Sequence, residues 1–423
     1  QKLKIIALTP TMSQNFSSRL KTVKTYTLLL LTAISSISLG RCLDYQDCNF
    51  NFLKSLEALH KPSMSSRMSP QVKLDEYPIE GTQDSILTAL VSKTNLAGKI
   101  SSKSNRLFIF SSGLHGIEGL VGSSVQTEIL KNYDLLFSDK DIDLLMIHII
   151  NPSGLKNFRR VNENNVDLNR NFPLSKELYN EHENNLYKTE NKDYERITAF
   201  LNPNTRAETG FWNSTLFLLQ SLKLIVSHGI EPLRRGILKG QYQNNKGIYF
   251  GGAQPEPQVQ AMDQILKDVY KKYTDILFID LHTGYGARGQ LHLFPSTTDS
   301  QKRIDLTNLF KGYPIDFGDH KNFYQVTGSM TDWVESHTPK NVNLKTMAFE
   351  YGTMDSQTTM GSIQSLYSVI LENQAHFYGA KSEKDTLEIQ QRNLNLYAPK
   401  DPLWEKSIYE QTLKVLQLLL SNK

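Results

Sequence analysis

Cysteine is nearly missing from this chain, with two among 423 residues. That excludes a disulfide framework and a cysteine-rich zinc module. Long apolar runs are missing too. A membrane-spanning helix needs roughly 20 predominantly apolar residues, and residues 26–39, apolar or small throughout, fall short of that. No internal repeat and no long low-complexity tract is present, so solenoids and fibrous arrays are excluded. No basic stripe with interleaved aromatics supports a nucleic-acid partner. What is present is 39% hydrophobic and 10% aromatic residues, enough for a sizeable core and incompatible with general disorder.

The formal charge of +4 arises from 47 Lys and Arg against 43 Asp and Glu. Five of those cations (Lys2, Lys4, Arg19, Lys21, Lys24) fall within residues 1–40, which contain no acid, so residues 41–423 are close to neutral. Arg19, Lys21 and Lys24 precede the apolar stretch at 26–39, which exits through the small residues Ser38 and Gly40. A charged start, a short apolar centre and a small-residue exit describe a secretory signal peptide. The expectation is an exported protein, periplasmic or secreted, with no stable membrane span once the signal is removed. Whether the segment is cleaved or anchors stays open. Cys42 and Cys48 follow directly; in an oxidising compartment they could close a small loop or remain two thiols.

Beyond about residue 86, short apolar runs alternate with helical segments. Residues 107–110, 144–150, 276–281 and 346–349 read as strands buried on both faces, the signature of a largely parallel α/β sheet. Helices are expected near 118–132, 255–273, 361–377 and 402–420. Residues 174–245, rich in Asn, Glu and Lys with helical patches near 212–225, read as an insertion between two strands. The organisation expected is a signal at 1–40, an N-terminal extension at 41–79, a catalytic domain at 80–380 and a C-terminal helical segment at 381–423.

Polar residues cluster at the strand ends, where open α/β sheets bind ligands. After the first run come His115-Gly116-Ile117-Glu118, an imidazole and a carboxylate three apart on a glycine-flanked turn. Catalytic zinc commonly takes two His, one carboxylate and a water. Asp280-Leu281-His282-Thr283-Gly284, at the end of another buried run, offers the second His, although a hydrogen-bonded strand-capping His reads the same way. His292, in an alternating stretch, is better read as structural. Arg159, Arg160, Asn162 and the run Val166-Asp167-Leu168-Asn169-Arg170-Asn171-Phe172 provide guanidinium groups that grip carboxylates bidentately. Glu350 emerges from the last run as a carboxylate suited to general-base work.

These residues, in this order, resemble the zinc carboxypeptidase family, and most closely an exported bacterial branch of it. The resemblance spans about residues 80–380 and implies a single mixed, largely parallel sheet with helices on both faces. It implies one zinc ion held by His115, Glu118 and His282, and Glu350 as the general base. Arg160 falls where the family polarises the substrate carbonyl, with Arg159 the second choice. Asn169 and Arg170 fall on the pair that holds the substrate's terminal carboxylate, and Asp167 on the residue that orients a zinc-bound His. Tyr324 falls on the family's mobile tyrosine, and Thr331 on the floor of the side-chain pocket, where a neutral residue disfavours Lys or Arg. The interval from Glu118 to His282 exceeds that of the compact digestive enzymes, so the insertion could reshape the cleft.

The implied activity is hydrolysis of an amide next to a free carboxylate, with a peptide or acyl amino acid as partner. One alternative is a zinc amidohydrolase acting on peptidoglycan stem peptides or N-acyl amino acids. A metal- or carboxylate-binding protein without catalysis is disfavoured, because the ligand set occurs together with Glu350.

Overall fold

A computed structural model describes residues 41–59, 70–93, 104–174, 186–297, 299–317 and 326–421, all within one compact unit. The proposed signal at 1–40 and Tyr324 lie outside the described residues.

Seven strands form one sheet: β1 (Pro70–Pro78), β2 (Ser85–Lys93), β3 (Arg106–Ser112), β4 (Asp143–His148), β5 (Asp275–Thr283), β6 (Leu291–Pro295) and β7 (Asn343–Tyr351). Their order is β1-β2-β4-β3-β5-β7-β6. The four central strands β4, β3, β5 and β7 run parallel, and β2 and β6 close onto them antiparallel. β4 is buried at every position and β3 and β5 at all but their first residue, as expected of strands covered on both faces. β3 is followed by β4 on one side and, later, β5 on the other. Strand order therefore reverses between β3 and β5, which opens a crevice at their carboxyl ends.

The helices are α1 (Tyr45–Leu59), α2 (Gly119–Lys131), α3 (Tyr133–Phe137), α4 (Pro152–Lys156), α5 (Lys192–Leu201), α6 (Phe211–His228), α7 (Ile230–Leu238), α8 (Pro257–Tyr270), α9 (Ser300–Leu309), α10 (Met330–Ser336), α11 (Thr359–Tyr378), α12 (Glu383–Tyr397) and α13 (Pro402–Ser421). Among the described residues, none is long and apolar enough to cross a membrane. The main core joins one sheet face to α8 and α10 through Leu107, Ile109, Ile147, Phe278, Met262, Ile265 and Trp333. A second cluster lies in the insertion, where Tyr194, Ile197, Leu201 and Phe217 pack against Ile363, Tyr367 and Ile370 of α11. Cys42 and Cys48 are disulfide-bonded. The bridge sits on α2, where Ser124 Oγ accepts from the Cys42 amide at 3.1 Å.

Candidate active site

The crevice receives its functional side chains from four neighbouring strands, β4, β3, β5 and β7, and the segments that follow them. β3 ends at Ser112, and Gly113 (φ 65°) turns the chain into His115 and the short helical turn Gly116–Glu118. That turn crosses α4 itself at backbone distance. A Cβ on Gly116 would lie 2.3 Å from the Gly154 carbonyl carbon, so glycine is required there. The amides of Gly116 and Ile117 donate to the carbonyls of Arg160 and Arg159 at 3.0 and 2.9 Å. The loop bearing His115 and Glu118 is thereby fastened to the loop bearing the arginines.

His115, Glu118 and His282 converge, with one donor atom from each lying within 4.8 Å of the others. Nδ1 of His115 is 2.9 Å from Glu118 Oε1, and Nδ1 of His282 is 3.2 Å from Glu118 Oε2. The edge of a tetrahedron with arms of about 2.0 Å is about 3.3 Å, so the spacing suits zinc. Both opposite ring nitrogens face carboxylates. Asp167 Oδ1 lies 3.1 Å from His115 Nε2, and Asp280 Oδ2 lies 2.5 Å from His282 Nε2. Each carboxylate fixes the tautomer that leaves Nδ1 as the free electron pair, the usual second-sphere arrangement for a metal-binding His. The donor set therefore fits a zinc ion. Ser111 Oγ anchors Asp280 at 2.7 Å, and the Thr283 amide anchors Glu118 at 2.9 Å.

The charges around these groups set their titration in the metal-free chain. Burial opposes the charge of Glu118, but His115 and His282 outweigh it and hold the carboxyl well below its usual range. Burial would likewise lower the His282 pKa, but Asp280 and then Glu118 drive it well above the ordinary value. Asp167 is also held down despite burial, by Arg160, His115 and Arg170. Glu350 goes the other way. Burial pushes its carboxyl up to about 8, with His282 opposing and Glu118 adding to the rise. It sits across from His282 in the β5–β7 register, and among the described residues its buried Oε2 has no hydrogen-bond partner.

Arg160 faces this cluster, donating to Asp167 Oδ2 and Glu118 Oε1, both at 3.0 Å. One of its terminal nitrogens is also 2.7 Å from His115 Nε2. Two donors cannot share that nitrogen once its hydrogen points to Asp167, so the two carboxylate bonds hold the guanidinium. Arg159 turns away to Glu372 at 2.6 Å, with Asn165 alongside. Of the two arginines, only Arg160 enters the site. Asn162 shapes the loop by accepting from the Val166 amide and donating to Glu256.

Asn169 and Arg170 lie on a turn capped by Asp167, whose carboxylate accepts from the Asn169 amide at 3.1 Å. Asn169 Oδ1 accepts from the Met330 amide at the start of α10, which places Thr331 of that helix beside the same turn. Arg170 is buried, and among the described residues its Nε has no partner. The insertion reaches this point. Tyr242 donates to the Arg170 carbonyl at 2.7 Å, and the Tyr249 ring lies 5.8 and 5.9 Å from the guanidinium carbons of Arg160 and Arg170. His292 stacks on Phe294, with centroids 4.6 Å apart, and pairs in register with Glu350.

Sequence reasoning missed Asp280 as the orienting partner of His282, and missed Tyr249 entirely. The first had a signal: residues two apart on a strand share a face, so Asp-x-His places both on the same side. Tyr249 had none, because its position depends on how the segment just after the insertion folds back.

A family model described as "Protein of unknown function (DUF2817)" matches residues 71–411. No curated protein matches. Among solved structures, the chain is similar to bovine thrombin-activatable fibrinolysis inhibitor in complex with tick carboxypeptidase inhibitor, at 13% identity and a TM-score of 0.42, covering 80% of this chain and 97% of that one. It is similar to carboxypeptidase A from Helicoverpa armigera at 11% identity and a TM-score of 0.38, covering 90% and 82%. It is similar to murein-tripeptide amidase MpaA from Escherichia coli O157 at 15% identity and a TM-score of 0.34, covering 75% and 97%.

Proposed function

The chain belongs to the DUF2817 family, and from that premise we propose that it is a zinc-dependent amide hydrolase of carboxypeptidase type. The observation that carries the reading is the juxtaposition of three metal donors with a buried, partnerless Glu350 oxygen across the strand register from His282. A zinc ion held by His115, Glu118 and His282 would supply Lewis-acid polarisation of a water and of the scissile carbonyl.

The remaining roles belong to the chain's own side chains. Glu350 takes the proton of the attacking water and returns it to the leaving amine. Arg160, braced by Asp167 and Glu118, faces the oxygen on which negative charge develops, where a preorganised cation contributes most. Asn169 and Arg170 hold the free carboxylate of the substrate, with Thr331 close to the same turn and Tyr324 the residue expected to close over it. A neutral Thr331 gives no counter-charge to a basic side chain, so apolar or neutral residues are the preferred leaving group. The Cys42–Cys48 bridge supports the export proposed from residues 19–40, since disulfides persist in oxidising compartments.

The test is hydrolysis by zinc-loaded protein of peptides, N-acyl amino acids and muropeptides, each as free acid and as C-terminal amide. Cleavage confined to the free acids is the expected result, and equal cleavage of the amides removes the role given to Arg170. Glu350→Gln should lower kcat by at least about a hundredfold while one zinc per chain stays bound. Near-normal turnover by that variant would remove Glu350 from the mechanism.

A further inference from the structure

Among the described residues, helix α6 in the insertion is fixed on one side and bare on the other. On the fixed side Phe217 stacks between Phe200 and Tyr367, at centroid distances of 4.9 and 4.5 Å. Leu218, Leu224 and Ile225 pack onto the same cluster. The opposite side carries Phe211 (74% exposed), Trp212 (79%), Leu216 (55%), Leu219 (59%), Leu222 (42%) and Val226 (87%). At 3.6 residues per turn these positions fall on one stripe. Isolated exposed apolar residues are ordinary, but a contiguous stripe of six is not.

Its size can be set against what association requires. Two aromatics at three-quarters exposure and four aliphatics at roughly half to nine-tenths give roughly 600 Å² of bare apolar surface. Two such stripes together make about 1,200 Å², at the lower edge of stable protein–protein interfaces.

We propose that this stripe is the interface of a homodimer, in which α6 of two copies packs antiparallel about a two-fold axis near Leu219. The stripe is self-complementary about that point. The axis sets Phe211 and Trp212 of one copy against Val226 of the other, large against small. Lys223 is the sole Lys, Arg, Asp or Glu on α6. It stands four residues from Leu219, about 6 Å along the axis, so the two ammonium groups lie about 12 Å apart, beyond the screening length of about 8 Å. Each faces the neighbourhood of Thr215 of the other copy. Antiparallel packing also opposes the two helix dipoles. A helix lying on a bilayer instead has a Lys- and Arg-rich polar face, and a single lysine does not make one. The proposal uses no residue of the hydrolytic site and stands or falls apart from it.

Sedimentation velocity of the full chain at about 1–50 µM tests it, comparing wild type with Leu219→Glu, which sets two carboxylates against each other at the axis. The expected result is a dimer for wild type and at least a tenfold higher dissociation constant for the variant, with an unchanged far-UV spectrum. Leu219→Cys gives a second readout that does not depend on tolerating a charge: oxidation should link two chains through that position. A wild-type monomer across the range, a Leu219→Glu chain that still dimerises, or no linkage through Leu219→Cys would overturn the proposal. So would a monomer that binds anionic vesicles through the same stripe.

Discussion

Replacing Asp280 with asparagine tests whether the carboxylate behind His282 tunes the metal site. Asp280 is wholly buried, with one oxygen 2.5 Å from His282 Nε2 and the other 2.7 Å from Ser111 Oγ. Asparagine has the same outline. Its carbonyl can still accept from Nε2, and its amide can donate to the Ser111 hydroxyl, which rotates to accept. What disappears is the negative charge that makes the imidazole a stronger donor. Outer-sphere losses of this kind weaken metal binding by about 10–100-fold, or about 1.4–2.8 kcal/mol. The assay is zinc competition against a fluorescent chelator, with thermal melting of the metal-free protein as control. Asp280→Asn should fall in that window with little change in the metal-free melt. Asp280→Ala should lose further stability, about 1–3 kcal/mol, because it strands both the His282 N–H and the Ser111 hydroxyl. His282→Ala should exceed both in lost affinity, because it removes a donor. Wild-type affinity in Asp280→Asn, or a loss as large as that of His282→Ala, would refute the reasoning.

Two further outcomes follow from other parts of the structure. Tyr249 lies over both guanidinium groups, and cation–π contacts of this kind contribute about 0.5–2 kcal/mol. Tyr249→Leu should therefore lower kcat/KM for a free-acid substrate roughly tenfold, and Tyr249→Phe should restore it; an equal defect in the Phe variant would dismiss the ring as the cause. His148 is buried against Phe52, with ring centroids 4.0 Å apart, and burial lowers its pKa to about 3. Because the folded value is depressed, the stability tied to its neutral form is complete above about pH 6.5 and drains as pH falls toward 3, costing about 3 kcal/mol by pH 4.5. Denaturant unfolding across that range should show the slope in wild type and a flatter one in His148→Asn; identical slopes would count against it.

β3, β4 and β5 could be read from the chain because burial on both faces writes itself as unbroken apolar runs, and β7, partly exposed at its start, shows a shorter one at 346–349. The polar residues that end those runs also stood out, since Asp, His and Glu have no packing reason to follow Ile or Phe. The β1–β2 hairpin was not legible. β1 carries Lys73, Asp75 and Glu76 as an exposed edge, and only its pairing with β2 makes it a strand. The choice between Arg159 and Arg160 was open for a similar reason. Adjacent residues point apart, and which of them meets Glu372 depends on helix α11, more than 200 positions later. Tyr249 adopts φ 55°, a conformation that favours glycine, and no local pattern announces it for a tyrosine. Its place beside both arginines depends on how the segment just after the insertion folds back.

The crossing of Gly116 over Gly154 has a consequence for heredity as much as for chemistry. Because no side chain stands between the two backbones, the turn after β3 rests directly on α4, and its amide bonds to Arg160 and Arg159 tie it to the loop that follows. One loop carries His115 and Glu118, and the other leads into Arg160. A single codon change at Gly116 would therefore extinguish both halves of the site in one event. Among the described residues the α6 helix, by contrast, makes no contact with that joint.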